Sequence, residues 1–434
     1  MFKKVLIITS YWPPSGGSGV QRWLKFTKYL RDFNWEPVIY TPENPETPVE
    51  DYSLFRDIPE GITVLKKKIW EPYWFYKKFL GQKEEDKIQT GFLTEKKKPK
   101  LKEKISVRIR GNFFIPDARK FWIRPSVKYL TTYLKKKPVD IIISTGPPHS
   151  MHLIALGLKK RLNIPWLADF RDPWTNIYYH GDLKLSRFAE KKHRKLELEV
   201  LKRADMVTVV SPTLGKNLSK IYNCNYHVIT NGFDEDDFPI NHNSQTDTKF
   251  SITHVGVLMK KSNPENLWSI LRELTEVNED FKNDLEIKLV GKVDYSIINS
   301  IKKNNLFSYL TKIDYLPHEE IVKFQKQARV LLLLIPNTDN SKLIITGKLF
   351  EYLASKRPVL AIGPTDGDAA EIINDMKAGM ISGFGDNNRL KNNILALYHD
   401  YKKGYFRFDT GDISKYSRKN LTEELVKLLN ESIK

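Results

Sequence analysis

Cysteine, long apolar runs and the usual catalytic signatures are all scarce in this 434-residue chain. The one cysteine, Cys224, excludes an intramolecular disulfide and offers no cysteine cluster for a metal. No apolar run reaches the roughly 18 residues that span a bilayer. Lys3 and Lys4 followed by Val5 to Ile8 look briefly like the start of an export signal. That apolar core is too short, and Tyr11, Trp12, Pro13 and Pro14 are not an export-type ending, so the segment reads as the first strand of a cytoplasmic protein. Zinc-ligand spacing, a Walker loop and a Ser/His/Asp signature are missing, and no fixed repeat is visible.

The length is too great for one core and points to two domains, and 41% hydrophobic residues suit well-filled α/β cores. A net charge of +19 implies a polyanionic partner: nucleic acid, an anionic membrane or a phosphorylated substrate. Most of that excess lies between Lys66 and Lys137, with 22 Lys and Arg against 7 Asp and Glu. Trp70, Tyr73, Trp74, Phe75, Tyr76, Phe79, Phe113, Phe114, Phe121 and Trp122 are interleaved with these charges. Glu84 to Lys104 reads as a mobile loop within this insertion, and its flanks as amphipathic helical pieces.

Elsewhere short apolar runs alternate with helical patterns, the signature of parallel, doubly wound sheets. Val5 to Thr9 is a strand; Gly16, Gly17 and Gly19 follow in a loop that lets a ligand approach the backbone closely, or that merely connects. The spacing is not the dinucleotide fingerprint GxGxxG. Further strands are expected at Pro37 to Tyr40, Asp140 to Ser144, Trp166 to Asp169 and Met206 to Val210. A second series runs through Ser251 to Gly256, Leu285 to Val290, Ile313 to Leu316 and Val330 to Ile335. The polar stretch near 240–248 divides the chain into domains 1–240 and 241–405, with a helical segment 406–434 expected to pack back on the first. The fold class is therefore α/β, two Rossmann-like doubly wound domains facing across a cleft. The loops beyond the strands carry Gly16, Gly17, His149, Asp169, Arg171, Lys260, Lys261 and Lys348, all expected to point into that cleft.

Asn340 to Ile373 carries the clearest chemistry. A helix is expected from Thr346, which can cap it, with Leu349, Phe350 and Leu353 on one face and Lys348 and Glu351 on the other. Free amides and the helix dipole at its start form an anion site to which Lys348 adds a full charge. Glu351, one turn inward, can accept hydrogen bonds from two neighbouring sugar hydroxyls. A plain exposed Lys348–Glu351 pair is the competing reading. Arg357 to Gly363 reads as the next strand, and Asp368 with Glu371 as a capping box.

The segments VLIITSYWPPSGGSGVQR, DIIISTGPPHS, IPWLADFRDPW, ADMVTVVSPTLGKNL, VITNGFD, GVLMKKSNPENL and GKLFEYLASKRPVLAIG occur in one order from the first strand to about Gly363. In that order they resemble the family 4 retaining glycosyltransferases of GT-B architecture. The resemblance implies transfer of a sugar from a nucleotide-sugar to a hydroxyl without a required metal or other cofactor. It likens Glu351 to the ribose-binding glutamate, and Thr346, Gly347 and Lys348 to the phosphate-binding helix start. Gly16 and Gly17 take the place of the loop beside the diphosphate, and His149 that of a group facing the donor sugar or merely ordering its loop. Asp169, Arg171 and Asp172 fall on the acceptor side, or pair only to stiffen that loop.

Two departures stand out. Leu343 occupies the place of an earlier glutamate that many members use on the transferred sugar. The loop Gly256 to Lys261 lacks the usual arginine, so Lys260 or Lys261 inherits its role on the diphosphate. The implied acceptor is a glycan or lipid-linked sugar, and the basic aromatic region then suits an anionic membrane surface rather than nucleic acid, since no nucleic-acid module accompanies it. A non-catalytic membrane- or nucleic-acid-binding protein and a nucleotide-sugar epimerase on the same fold remain the alternatives.

Overall fold

The computed structural model describes residues 2–45, 49–70, 108, 111–177, 183–239, 245–404 and 410–433. The described chain divides into two units: residues up to Thr230 together with Arg418 onward, and Asn231–Ser417.

The first unit is built on seven parallel strands: β1 (Lys3–Ile8), β2 (Trp35–Pro42), β3 (Thr63–Lys67), β4 (Ile141–Gly146), β5 (Trp166–Phe170), β6 (Met206–Val209) and β7 (Tyr226–Val228), in spatial order β3-β2-β1-β4-β5-β6-β7. Both faces are covered, which explains the unbroken apolar runs: Leu6 and Ile8 enter the core on one face, Val5 and Ile7 that on the other. The helix Arg418–Ser432 places Leu421, Leu425 and Leu429 in the same core as Trp23 and Phe26 of the helix Ser18–Leu30.

The second unit has six parallel strands: β8 (Phe250–Val255), β9 (Leu285–Val290), β10 (Leu310–Ile313), β11 (Val330–Leu334), β12 (Val359–Ile362) and β13 (Gly379–Ser382), ordered β10-β9-β8-β11-β12-β13. Leu332 and Leu334 face one core, Leu331 and Leu333 the other. Strand order reverses between β1 and β4 in the first sheet and between β8 and β11 in the second. Crevices open at such reversals beyond the carboxyl ends of the strands, so each unit carries its own candidate site there.

Several local expectations need correction. Asp368 does not cap: Gly367 holds that position, and Asp368 is the first residue of the helix Asp368–Asp375. Thr346 is at the N-cap with extended backbone, yet its side chain makes no capping bond. The strand expected at Ile313 to Leu316 lies three residues earlier, as β10.

In the basic aromatic region, the downstream flank is the helix Lys120–Lys136, whereas Lys66 and Lys67 end an edge strand. Trp122 belongs to the core, stacked on Tyr40 at 4.8 Å between ring centroids. Tyr73, Trp74, Phe75, Tyr76, Phe79 and the Glu84 to Lys104 loop lie outside the described residues.

Candidate active site

In the second unit, three elements converge on the helix Gly347–Ala354. Its first amides, at Gly347 and Lys348, have no partner within the helix, so they present donors and the positive end of its dipole. Nothing lies within 4 Å of where a Cβ on Gly347 would stand. Beside it, the Thr346 Oγ1 is buried with no hydrogen-bond partner. An orphaned hydroxyl next to free amides and open space suits an oxygen-rich ligand.

Lys348 does not extend into solvent. Its Nζ lies 3.3 Å from His254 Nε2 and 3.4 Å from the Val257 carbonyl oxygen. The lysine stem lies over Gly256, which has a φ of 97°; a Cβ there would come within 2.7 Å of Lys348 Cε. Gly256 is in turn pressed against Gly291, whose own Cβ would meet the Gly256 oxygen at 2.7 Å. Glycine is thus required by both backbone conformation and space. Burial pushes the Lys348 ammonium down to about 8, against the pull of Glu351.

Glu351, one turn on, is held by the neighbouring helix His318–Gln327: His318 Nε2 is 3.0 Å from Oε1 and Gln325 Nε2 donates to Oε2 at 2.7 Å. This clamp fixes the orientation of the Glu351 carboxylate. The competing reading of an exposed Lys348–Glu351 pair fails, because both side chains are partly buried and each has other partners. Lys260 and Lys261 are exposed on the short turn Lys260–Ser262 beyond β8. Lys348 itself reaches the loop that lacks the arginine, at the Val257 carbonyl.

In the first unit, the glycine loop is tied down by backbone bonds from Gly16 N to the Val49 oxygen at 2.9 Å and from Asp51 N to the Pro14 oxygen at 2.8 Å. Gly17 caps the helix Ser18–Leu30 with a φ of 90°, and nothing lies within 4 Å of its missing Cβ. The loop is therefore ordered but open above Gly17.

Asp169 is a correction. Its carboxylate is fully buried and accepts from Arg22 Nη2 at 2.8 Å, Arg22 Nε at 3.2 Å, Trp23 Nε1 at 2.9 Å, Thr145 Oγ1 at 2.9 Å and Thr208 Oγ1 at 3.0 Å. Burial alone would raise its pKa, but Arg22 and these donors outweigh that and hold it below the usual range. Its partner is Arg22 rather than Arg171, and it has no exposed oxygen to offer an acceptor. It ties β4, β5 and β6 to the helix Ser18–Leu30.

Arg171 instead bridges loops: Nη1 donates to the Gly19 oxygen at 3.3 Å, Nη2 to the Pro147 oxygen, and its guanidinium lies over the Tyr11 ring. Asp172 is exposed. His149 is buried and stacked on Trp174, with centroids 4.5 Å apart and planes 1° from parallel. Its Nδ1 has no hydrogen-bond partner, and burial keeps its pKa well below the ordinary imidazole value. It is therefore neutral, which suits a hydrogen bond to a sugar hydroxyl and not the neutralisation of a phosphate. Sequence reading missed His254 and Arg22, whose partners lie 94 and 147 residues away.

Residues 84–237 match the sequence profile of Glycosyltransferase Family 4. Over that span, about a third of the chain, the sequence is similar to this family. Among curated proteins, none matches the chain significantly in sequence. Solved structures share the fold across nearly the whole chain. Sucrose-phosphate synthase from Thermosynechococcus elongatus is 14% identical, with a TM-score of 0.63 over 99% of this chain and 98% of that one. Staphylococcus aureus TarM, in complex with fondaparinux, α-GlcNAc-glycerol and UDP, is 13% identical with a TM-score of 0.60 over 99% and 100%. A putative UDP-N-acetylglucosamine 2-epimerase from Listeria monocytogenes is 11% identical with a TM-score of 0.58 over 99% and 96%. The fold is thus GT-B, two Rossmann-like units.

Proposed function

We propose that this glycosyltransferase moves a hexose from a nucleotide-sugar to a hydroxyl acceptor, with retention of anomeric configuration and without a metal. The observation that carries the reading is the start of the helix Gly347–Ala354, where free amides, an orphaned Thr346 hydroxyl, the Lys348 ammonium and the clamped Glu351 lie within six residues. Amides and ammonium suit a diphosphate, and Glu351 suits the ribose hydroxyls beside it. As the glycosidic bond breaks, charge gathers on the leaving diphosphate. Donors fixed beforehand stabilise that charge more in the transition state than in the ground state. The departing phosphate oxygen takes the acceptor's proton, so no separate base is needed.

The similarity to Glycosyltransferase Family 4 and a structural neighbour crystallised with UDP support the donor role. We extend the proposal to a glycan or lipid-linked acceptor used at the inner face of an anionic membrane, in cell-surface polysaccharide or glycolipid synthesis, because exposed aromatics stand among basic residues near Lys120. The epimerase neighbour supports a second reading, interconversion of the nucleotide-sugar itself.

Calorimetric titration with uridine, guanosine and adenosine diphosphates tests the shared premise. One of them should bind, and Glu351→Gln should weaken it by roughly ten- to a hundredfold, the loss of a charge-assisted hydrogen bond. Unchanged affinity in that variant would remove Glu351 from the site. Product analysis without acceptor separates the two readings: a sugar epimer supports the second, an intact donor the first. Activity surviving a chelator supports the metal-free mechanism, and its loss opposes it.

A further inference from the structure

We propose that His254 is a positioning residue that holds the Lys348 ammonium at the anion-binding helix start. The inference rests on the nucleotide-sugar reading of that site and goes beyond it, assigning a function to a residue of the β8 core.

His254 stands on β8 one residue from its carboxyl end, 1% exposed, beside the strand reversal. Its Nδ1 lies 3.0 Å from the Leu332 carbonyl oxygen on β11. A carbonyl only accepts, so in the tautomer that carries the proton on Nδ1 the Leu332 bond is made and Nε2 presents a lone pair. The Lys348 Nζ, 3.3 Å away, only donates, so the two groups are complementary in one tautomer. Burial, reinforced by the neighbouring Lys348 charge, pushes the imidazole down to about 3, against the pull of the Leu332 and Val257 carbonyls. It therefore stays neutral and does not compete for the lysine's proton. Two of the three Lys348 N–H bonds are directed at His254 and the Val257 carbonyl, which leaves the third for a ligand. Glu351, from the same helix, is the charged group that opposes the desolvation of Lys348. Tyr352, adjacent on that helix, is occupied otherwise: its hydroxyl accepts from the Val255 amide at 3.2 Å.

A backbone carbonyl thus sets a tautomer, the tautomer orients a lysine, and the lysine meets the leaving group. Without the imidazole acceptor, Lys348 loses a partner that favours its charged form and gains rotational freedom. Its charge would be lost at lower pH, and the transition state would suffer more than ground-state binding.

Two near-isosteric variants separate the links. His254→Asn can keep the bond to Leu332 but offers nothing at the Nε2 position; His254→Gln can place an amide oxygen near Nε2. In His254→Asn, kcat should fall about ten- to a hundredfold with a smaller change in donor KM, and the basic limb of the pH–rate profile should move to lower pH. His254→Gln should recover most of both. The ionisation of Lys348 itself is read without turnover, from the pH dependence of its acetylation by acetic anhydride followed by peptide mass spectrometry. Its midpoint should drop in His254→Asn and return toward wild type in His254→Gln. Equal Lys348 midpoints in wild type and folded His254→Asn would overturn the proposal, as would wild-type kcat in His254→Asn. If no nucleotide-sugar is turned over by the wild type, the functional reading fails, while the acetylation midpoints still decide whether His254 governs Lys348.

Discussion

Lys348 is where the chemistry is most exposed to a single change. An ammonium lowered from 10.5 to about 8 is charged at neutral pH and loses its charge as pH rises through about 8, so the rate constant for transfer should fall along that limb. The effect on stability has the opposite sign. Between pH 8 and 10.5 the unfolded chain still binds the lysine proton and the folded chain does not, so this group contributes rising stability across that window. Below it the desolvation cost is constant. Lys348→Met should therefore leave the protein as stable as wild type or more so at pH 7, while lowering kcat by about a hundredfold or more. A melting temperature well below wild type, or retained turnover, would show that the lysine holds the fold and not the leaving group.

At the scale of elements, Asp169 links strands to a helix. It was legible as a polar residue near the end of β5, but not in its role, because its partners Arg22, Trp23, Thr145 and Thr208 are scattered through the sequence and only the fold brings them together. Asp169→Ala should cost about 3–5 kcal/mol, since the buried Arg22 charge is left without its carboxylate. Chemical denaturation checks this; a variant of native stability with a raised acceptor KM would restore the acceptor-side role. Strands buried on both faces announced themselves as apolar runs, and most were legible to within a residue or two. β3 was not, because Thr63 to Lys67 is a half-exposed edge strand whose lysines conceal its alternation. Thr346 and Asp368 show the same limit: residue type favours a cap, and backbone geometry decides whether the side chain makes one.

Across the whole molecule, the doubling of the α/β pattern and the helix Gly347–Ala354 were readable from sequence, since both rest on local periodicity and spacing. The division of the basic aromatic region was not. Charge and ring count mark all of it alike, yet Trp122 is 1% exposed whereas Trp70, Phe113 and Phe121 are 54%, 68% and 44% exposed. Phe121 meets Trp70 edge-on at 4.9 Å and lies under Lys120 Nζ. Rings with neighbouring lysines suit the headgroup zone, where each basic residue contributes about 1 kcal/mol. The protein should float with vesicles containing anionic lipid and not with neutral ones, and Trp70, Phe113 and Phe121 changed together to Ser should reduce that flotation. Indifference to anionic vesicles at physiological salt, with binding to nucleic acid instead, would contradict the membrane assignment.

The central claim is sugar transfer driven by leaving-group stabilisation at the helix Gly347–Ala354. Its most direct test is nucleoside diphosphate release from uridine-, guanosine- and adenosine-diphosphate sugars, with and without a panel of alkyl glycosides as acceptors. The account predicts release from one donor class, dependent on an acceptor and lost in Lys348→Ala. Release from none of them with any acceptor, or release that Lys348→Ala leaves intact, would contradict it.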